Sequence, residues 1–470
     1  MLVEEHLILS KRPGLLPSRL KQLVPTVGTF YTRLPLRKAF EEYNEKHCLT
    51  KRRHITISFN EIRHILNLAQ IMALSTSEGR EDLLQSSSMD NNSQNDTANN
   101  NKEEVVDDET ITTTVNPKLI TFDGDQTLYS DGSNFESNPR LANYLYLLLK
   151  HGVTVAVVTA AGYEYNTEKY EYRLSGLLAY FAEHQLSSED CSRFYLFGGE
   201  CNYLLCLGSD YKLHPVKEIG PGGWKTSTKY IPEAPGNWNE EAITKLLNVA
   251  ERNITNTVEE LKMRGRVIRK KHSVGLVPTT QTQLTREALD EAVLRVQDAL
   301  DHYHNTQSST TMTVTTENTN ATASAARLPF CAFNGGRDVW VDVGNKRVGV
   351  EILQSYTGIG KNETLHIGDQ FLNTGNDFAA RDVCPCVWIT DPEETTYILK
   401  SILRLAEITD LDDDNDEDDD EEKRTNHKMN PTTPNGSTVN FSECERRTEV
   451  IKKMDVFTGE MFYQAPNIQS

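Results

Sequence analysis

Six short apolar runs recur along the chain: KLITF ending at Phe122, VTVAVVTA at 153–160, RFYLFGG at 193–199, DVWVDV at 338–343, TLHIGD at 364–369 and CVWIT at 386–390. Runs this short, rich in β-branched and aromatic residues and bounded by Gly, Asp or Pro, read as strands. VTVAVVTA is apolar on both faces, as a parallel sheet covered on both sides requires. Between the first three runs lie PRLANYLYLLLKHG and LSGLLAYFAEH, whose apolar positions repeat at helical spacing, the first ending at Gly152. This βαβ rhythm predicts a doubly wound α/β core over 116–200 and 331–405.

The rhythm breaks over 201–330. Loops bearing Trp and Gly (GPGGWK, PEAPGNW), a helix near Asn239–Arg264, a strand VIRKKHSVGLVP and a helix near Thr285–His304 predict an inserted α+β domain. Upstream, SFNEIRHILNLAQIMAL has Ser58 and Glu61 at capping-box spacing, and Ile62, Ile65, Leu66, Ala69 and Met72 on one helical stripe. It predicts an amphipathic helix in a head segment, 1–75. Three polar stretches lack the apolar residues a core needs: 76–115 as a linker, 305–325 as a loop within the insert, and 406–440. A tail, 441–470, follows.

Charge sharpens this organisation. The formal net charge is −19, but Asp410–Glu422 alone holds 11 acids, and without them −8 remains. Residues 1–75 carry 12 Lys or Arg against 6 Asp or Glu, with a cluster at Lys51-Arg52-Arg53-His54. The head is basic and the tail acidic. Eight cysteines over 470 residues are too few for a disulfide scaffold, and Cys384 and Cys386 have no partners at zinc-site spacing. The N-terminus lacks a cationic lead and a long apolar stretch, and no run approaches the ~20 residues of a membrane span. The expectation is a soluble, cytoplasmic protein without membrane attachment.

The chemistry sits where the first strand stops. LITFDGDQTLYSDG places Asp123 and Asp125 at i and i+2, on one side of an extended chain. Sites in open α/β sheets form beyond the carboxyl ends of the strands, and two carboxylates there demand a counter-charge such as a divalent cation. A calcium loop is excluded, because the sixth position from Asp123 is Leu128 and the twelfth is Asn134. A surface turn with chance aspartates is the bland alternative. Three later features weigh against it: Thr159 at the end of VVTAAG, Lys346 after VWVDVGN, and Asp369 in HIGDQFLNTGND with Asn376 and Asp377 just beyond.

In that order, DxDxT, a strand-end Thr, Lys and GD…ND resemble the four motifs of the haloacid dehalogenase-like phosphohydrolases, and the insert between the second and third motifs resembles their larger caps. GGRDVWVDVGNK and GDQFLNTGND are similar to pieces of phosphomannomutases. SKR…LVPTVGTFYTRLPL, SFNEIRHILNLAQ, TFDGDQTLY and VTAAGY, with the Lys and GD…ND motifs, resemble the fungal and apicomplexan IMP-specific 5'-nucleotidases. The likeness covers most of 10–75 and 116–405. It implies a Rossmannoid core, a cap domain, a helical regulatory head, Mg²⁺ as cofactor, IMP as substrate, ATP as allosteric effector and a homotetramer.

Carried onto this sequence, the resemblance makes Asp123 the nucleophile, Asp125 the general acid and base, and Lys346 the neutralising cation. Mg²⁺ would be held by Asp123, the backbone carbonyl of Asp125 and Asp369. Thr159 and the N–H of Ala160 would hold phosphoryl oxygens, Asp377 would orient Lys346 or a metal-bound water, and Asp131 and Asp338 would hold the nucleoside. Lys51, Arg52 and His64 are the candidates for ATP. Read as one strand, VIRKKHSVGLVP puts Arg269 and Lys271 on one face; with His272 they are candidates to face an anionic substrate, and a solvated face is the competing reading. The rival enzymatic reading is a phosphomannomutase-like phosphotransferase or phosphatase acting on sugar phosphates. A scaffold that keeps the fold is a third, opposed by the intact Asp123, Asp125, Lys346 and Asp369. A nucleic-acid role rests on the basic head alone, which lacks interleaved aromatics.

Overall fold

The computed structural model describes residues 34–75, 116–136, 138–279, 284–311 and 327–408. The linker at 76–115, most of the loop at 305–325, nearly all of 406–440 and the tail at 441–470 lie outside the described residues. Among the described residues no helix is long and apolar enough to cross a membrane.

In chain order, the elements are α1 (Leu36–His47), α2 (Phe59–Ser75), β1 (Leu119–Phe122), α3 (Pro139–Lys150), β2 (Thr154–Val158), α4 (Thr167–Arg173), α5 (Ser175–Glu183), α6 (Ser188–Cys191), β3 (Phe194–Gly198), β4 (Tyr203–Leu207), β5 (Leu213–Pro215), α7 (Trp224–Ser227), α8 (Glu240–Glu260), β6 (Gly265–Arg269), β7 (Ser273–Pro278), α9 (Arg286–Thr311), β8 (Phe330–Asn334), β9 (Val339–Val343), α10 (Lys346–Thr357), β10 (Thr364–Gly368), β11 (Cys386–Trp388) and α11 (Pro392–Leu405).

They build two sheets. The larger runs β11-β10-β1-β2-β3-β4-β5. Its first five strands are parallel, and β4 and β5 turn back antiparallel at one edge. β1, β2 and β10 are buried along their whole length, mostly by apolar residues, with Thr121 of β1 and His366 of β10 paired to each other. The strand order places the ends of β1, β2 and β10 side by side, so Asp123, Thr159 and Asp369 converge on one edge. The second sheet, β6-β7-β9-β8, is antiparallel and packs on α8 and α9, with its own apolar core around Leu247, Val296 and Val341.

Sheet membership differs from the sequence-based division at two places. β4 and β5 lie beyond residue 201 yet extend the large sheet, and DVWVDV joins the second sheet as β9, paired with β7 and β8. A strand's sheet is decided by its partners far along the chain, and apolar content alone carries no such information. VIRKKHSVGLVP is two strands, β6 and β7, joined through Lys270, Lys271 and His272. The expected shared face of Arg269 and Lys271 is therefore lost.

In the head, α2 begins with the expected capping box: Glu61 N–H donates to Ser58 Oγ (3.3 Å) and Ser58 N–H to Glu61 Oε2 (2.8 Å). Its buried face includes Ile65, Ala69 and Met72, but Ile62 is 45% exposed while Arg63, Asn67 and Gln70 are buried. The polar residues turn inward because they meet partners. The Arg63 guanidinium, 3% exposed, grips both oxygens of Glu394 on α11 (2.6 and 2.7 Å) and donates to the Trp388 carbonyl (2.7 Å).

Candidate active site

The carboxyl edge of the large sheet faces a cavity of about 830 Å³, roofed by the second sheet. Asp123, Asp125, Thr159 and Ala160 line it from the first; Lys271, His272 and Trp340 line it from the second.

Asp123 ends β1, with its N–H donating to the Ile367 carbonyl of β10 (3.0 Å). Its Oδ1 accepts from Gly124 N–H (2.7 Å) and lies 2.9 Å from Lys346 Nζ. Gly124 has no room for a side chain: a Cβ would stand 2.5 Å from the Tyr129 hydroxyl. Lys346 opens α10 behind Asn345, whose side chain caps the helix by accepting from Val348 N–H (3.0 Å). That start aims the lysine inward, where it is fully buried. Its Nζ donates to Asp377 Oδ1 at 2.5 Å. Asp377 is held in turn by His366 Nε2 (3.0 Å) and by Gln370 N–H (2.9 Å). Thr121 hydroxyl lies 2.8 Å from His366 Nδ1. Burial lowers the His366 pKa, against the opposing pull of Asp377.

This one cation divides three carboxyls. Burial pushes Asp123 up to about 7 against the opposing pull of Lys346. Burial and the neighbouring Asp123 raise Asp369 well above the usual carboxylate range. Asp377, equally buried, is nevertheless held below that range by Lys346 and His366. Lys346 itself is raised by Asp123 and Asp377 despite its burial. Carboxylate oxygens of Asp123, Asp369 and Asp377 lie within 4.8 Å of one another. Those of Asp369 are buried and have no hydrogen-bond partner among the described residues. Two unpartnered buried oxygens beside a second carboxylate fit a hard divalent cation, which takes oxygen ligands. Asp377 is already engaged by three donors, so Asp369 and Asp123 are the fitting side chains.

Asp125 is partly exposed at the cavity. Its Oδ1 accepts from Gly132 N–H (3.0 Å) and from the Arg173 guanidinium, which also lies over the Tyr129 ring (4.7 Å). The Thr159 hydroxyl accepts from Ala161 N–H (3.1 Å). Asp131 and Asp338 line the cavity from opposite sheets, Asp338 in the turn before β9 rather than on a strand; burial raises both carboxyls. Of the three hairpin candidates, Lys271 and His272 line the cavity, whereas Arg269 pairs with Glu251 on α8 (3.1 Å). Lys51, Arg52 and His64 lie in the head, outside the cavity lining. Lys51 is exposed, Arg52 pairs with Glu61 (2.6 Å) and His64 lies 3.4 Å from Glu394.

Sequence reasoning missed Arg173 and Lys270, and it named Asn376 beside Asp377 without giving it a role. Lys270, which lines the cavity and stands over the Trp340 ring (4.2 Å), had a signal in the polar KKHS break within an apolar run. Arg173, 48 residues from Asp125, had none.

A sheet whose parallel strands place Asp123 and Asp369 side by side at two strand ends, with a buried lysine paired to Asp123 and a cavity in front, defines an α/β protein with an acidic, lysine-centred candidate site. A family model of IMP-specific 5'-nucleotidases matches residues 1–399. The IMP-specific 5'-nucleotidase 1 of Plasmodium falciparum is 35% identical over 399 residues, 83% of this chain and 74% of that protein. The Yarrowia lipolytica protein of the same name is 37% identical over 395 residues, 83% and 79% respectively. Among solved structures, an IMP-bound, N-terminally truncated P. falciparum IMP-nucleotidase superposes with a TM-score of 0.65 at 34% identity, covering 86% of this chain and 87% of that one. An ATP-bound form gives 0.62 at 34%, covering 86% and 77%. The chain belongs to the IMP-specific 5'-nucleotidase family.

Proposed function

We propose that this protein hydrolyses the 5'-phosphate of IMP to inosine and phosphate through an aspartyl-phosphate on Asp123, on a haloacid dehalogenase-like core whose second sheet serves as the cap. The observation that carries this reading is the pairing of Asp123 with a fully buried Lys346, at a strand end that opens on the cavity.

An Asp123 carboxylate oxygen attacks phosphorus, and the bond from phosphorus to the ribose oxygen breaks. Phosphate monoesters resist hydrolysis so strongly that rate gains of up to ~10²¹ are needed, and a covalent intermediate divides the task. Asp125 turns from Arg173 to give its proton to the leaving oxygen, then takes a proton from the water that attacks phosphorus and frees Asp123. Lys346, fixed by Asp377, offsets negative charge on the nucleophile and the phosphoryl group. The Thr159 hydroxyl and Ala160 N–H hold phosphoryl oxygens; Asp131 and Asp338 hold the nucleoside. Asp123, Asp369 and the Asp125 carbonyl would hold Mg²⁺, which when bound would supply charge neutralisation at the phosphoryl group.

The reading extends to ATP as an activator acting at the head through Lys51, Arg52 and His64; an ATP-bound P. falciparum relative supports a nucleotide ligand of that kind. It extends also to a homotetramer, for which the exposed Ile55, Ile57, Phe59 and Ile62 offer an apolar contact surface. The test is phosphate release from a panel of nucleoside monophosphates and sugar phosphates, with and without Mg²⁺. IMP should lead the panel and Mg²⁺ should be required. A preference for sugar phosphates, or dependence on a bisphosphate activator, would favour the phosphotransferase instead.

A further inference from the structure

β11 ends the large sheet on one side. An end strand turns one row of backbone N–H and C=O groups away from its neighbour, and proteins cover such rows. Here helix α2 of the head covers it with side chains. Asn67, buried on α2, donates from Nδ2 to the Trp388 carbonyl (2.6 Å) and accepts from Trp388 N–H on Oδ1 (3.2 Å). One amide thus satisfies the N–H and C=O of Trp388, as a further strand would. Arg63 donates to the same carbonyl (2.7 Å), and the Phe59 ring stands edge-on to the indole, with centroids 6.3 Å apart. Phe59, Arg63 and Asn67 are i, i+4 and i+8 on α2, one stripe of the helix, and all three meet a single residue of β11.

The same residue reaches the candidate metal site. In the register of β10 and β11, Trp388 stands opposite Gly368, the residue before Asp369. Ile389 N–H donates to the Gly368 carbonyl (3.0 Å), and the indole Nε1–H donates to the Asp369 carbonyl (2.8 Å). The indole also lies beside Phe371, two residues further on, with centroids 6.4 Å apart. The main chain around Asp369 is therefore tied to the strand that α2 grips, while the Asp369 carboxylate has no hydrogen-bond partner among the described residues. Where a carboxylate itself is unheld, its aim follows from its main chain. Neighbours that fix a ligand without touching the metal govern metal affinity nearly as strongly as the ligands do. A displacement of the first half of α2 would move Trp388, and Trp388 would move Asp369.

We propose that Trp388 is a positioning residue that ties helix α2 of the head to the main chain of Asp369, so that the seating of α2 and the binding of a divalent cation at Asp123 and Asp369 favour each other. The inference rests on the metal site of the reading above. It is tested on the full chain by calorimetric titration with Mg²⁺ and by hydrogen exchange, neither of which depends on turnover. Trp388→Phe keeps an aromatic ring and removes the indole N–H. It should weaken Mg²⁺ binding by about ten- to a hundredfold, the scale of losing a ligand's outer partner. Coupling between sites is reciprocal, so Mg²⁺ should slow amide exchange over residues 59–70 in the parent, and should not do so in Trp388→Phe when both proteins are saturated. Asn67→Leu loosens the same tie from the head and should weaken Mg²⁺ binding by more than about twofold, and adding it to Trp388→Phe should cost no more than Trp388→Phe alone. Mg²⁺ affinity within about twofold of the parent in Trp388→Phe overturns the inference, even if the urea midpoint falls, and so does α2 exchange in the parent that ignores Mg²⁺. Should Trp388→Phe fail to fold, Asn67→Leu decides by the same twofold limit and the same exchange. A parent that binds no Mg²⁺ overturns the metal site of the hydrolase reading and this inference with it.

Discussion

Lys346 pairs with two buried carboxylates, Asp123 and Asp377, and its removal separates its two tasks. Lys346→Met strands Asp377 and Asp123 without their partner, which for a broken buried pair costs about 3–5 kcal/mol. The urea midpoint should fall accordingly, and hydrolysis should fall at least ~10²–10³-fold, the scale of losing a transition-state contact. A variant as stable as the parent would mean that the carboxyls are not charged around it. Asp369 differs, because its oxygens have no hydrogen-bond partner among the described residues. Asp369→Asn should leave the fold intact and raise the Mg²⁺ concentration for half-maximal activity at least ~10-fold. Chelation should abolish activity in the parent and Mg²⁺ should restore it; an unchanged Mg²⁺ requirement in Asp369→Asn would remove that residue from the metal site.

Helix α2 shows how an element is held by what looks like the wrong face. Ile71 and Leu74 join the main core, but its lateral lock is Arg63 against Glu394. Burial opposes the charge on Glu394, yet the Arg63 hydrogen bonds hold its pKa below the usual carboxylate value. A depressed carboxylate contributes stability above its unfolded pKa of about 4.3, and loses it as pH falls through the folded value. Glu394→Gln should therefore be less stable than the parent by roughly 2–3 kcal/mol at pH 7. That difference should shrink below about pH 4, as followed by urea melts at each pH. A pH-independent difference would point to packing instead. Arg63 was invisible in the sequence because a 3.6-residue period finds apolar stripes, and this arginine is buried by a partner 331 residues away. The same limit explains β9: DVWVDV reads as a strand, but nothing local tells which sheet it joins. Asp123, Thr159 and Asp369 were legible because each ends an apolar run, and a run's end is local information.

At the scale of the molecule, a cavity opens between the two sheets, and the described part of the head lies outside its lining. Because α2 contributes to the main core, cutting off residues 1–75 would expose apolar surface, and point substitutions probe the head more cleanly. Lys51→Ala with Arg52→Ala should leave the unstimulated rate intact and weaken activation by ATP, read as a higher ATP concentration for half-maximal effect. Unaltered activation would place the effector elsewhere. The central claim, that the site works through a covalent phosphate on Asp123, has one direct measurement. Asp125→Asn enzyme is mixed with IMP labelled in its phosphate, quenched in acid and mapped by peptide mass spectrometry. The account predicts phosphate on Asp123, held longer than in the parent because the water that would release it has lost its base. Phosphate absent from Asp123 under those conditions, together with an Asp123→Asn enzyme that still hydrolyses IMP, would contradict it.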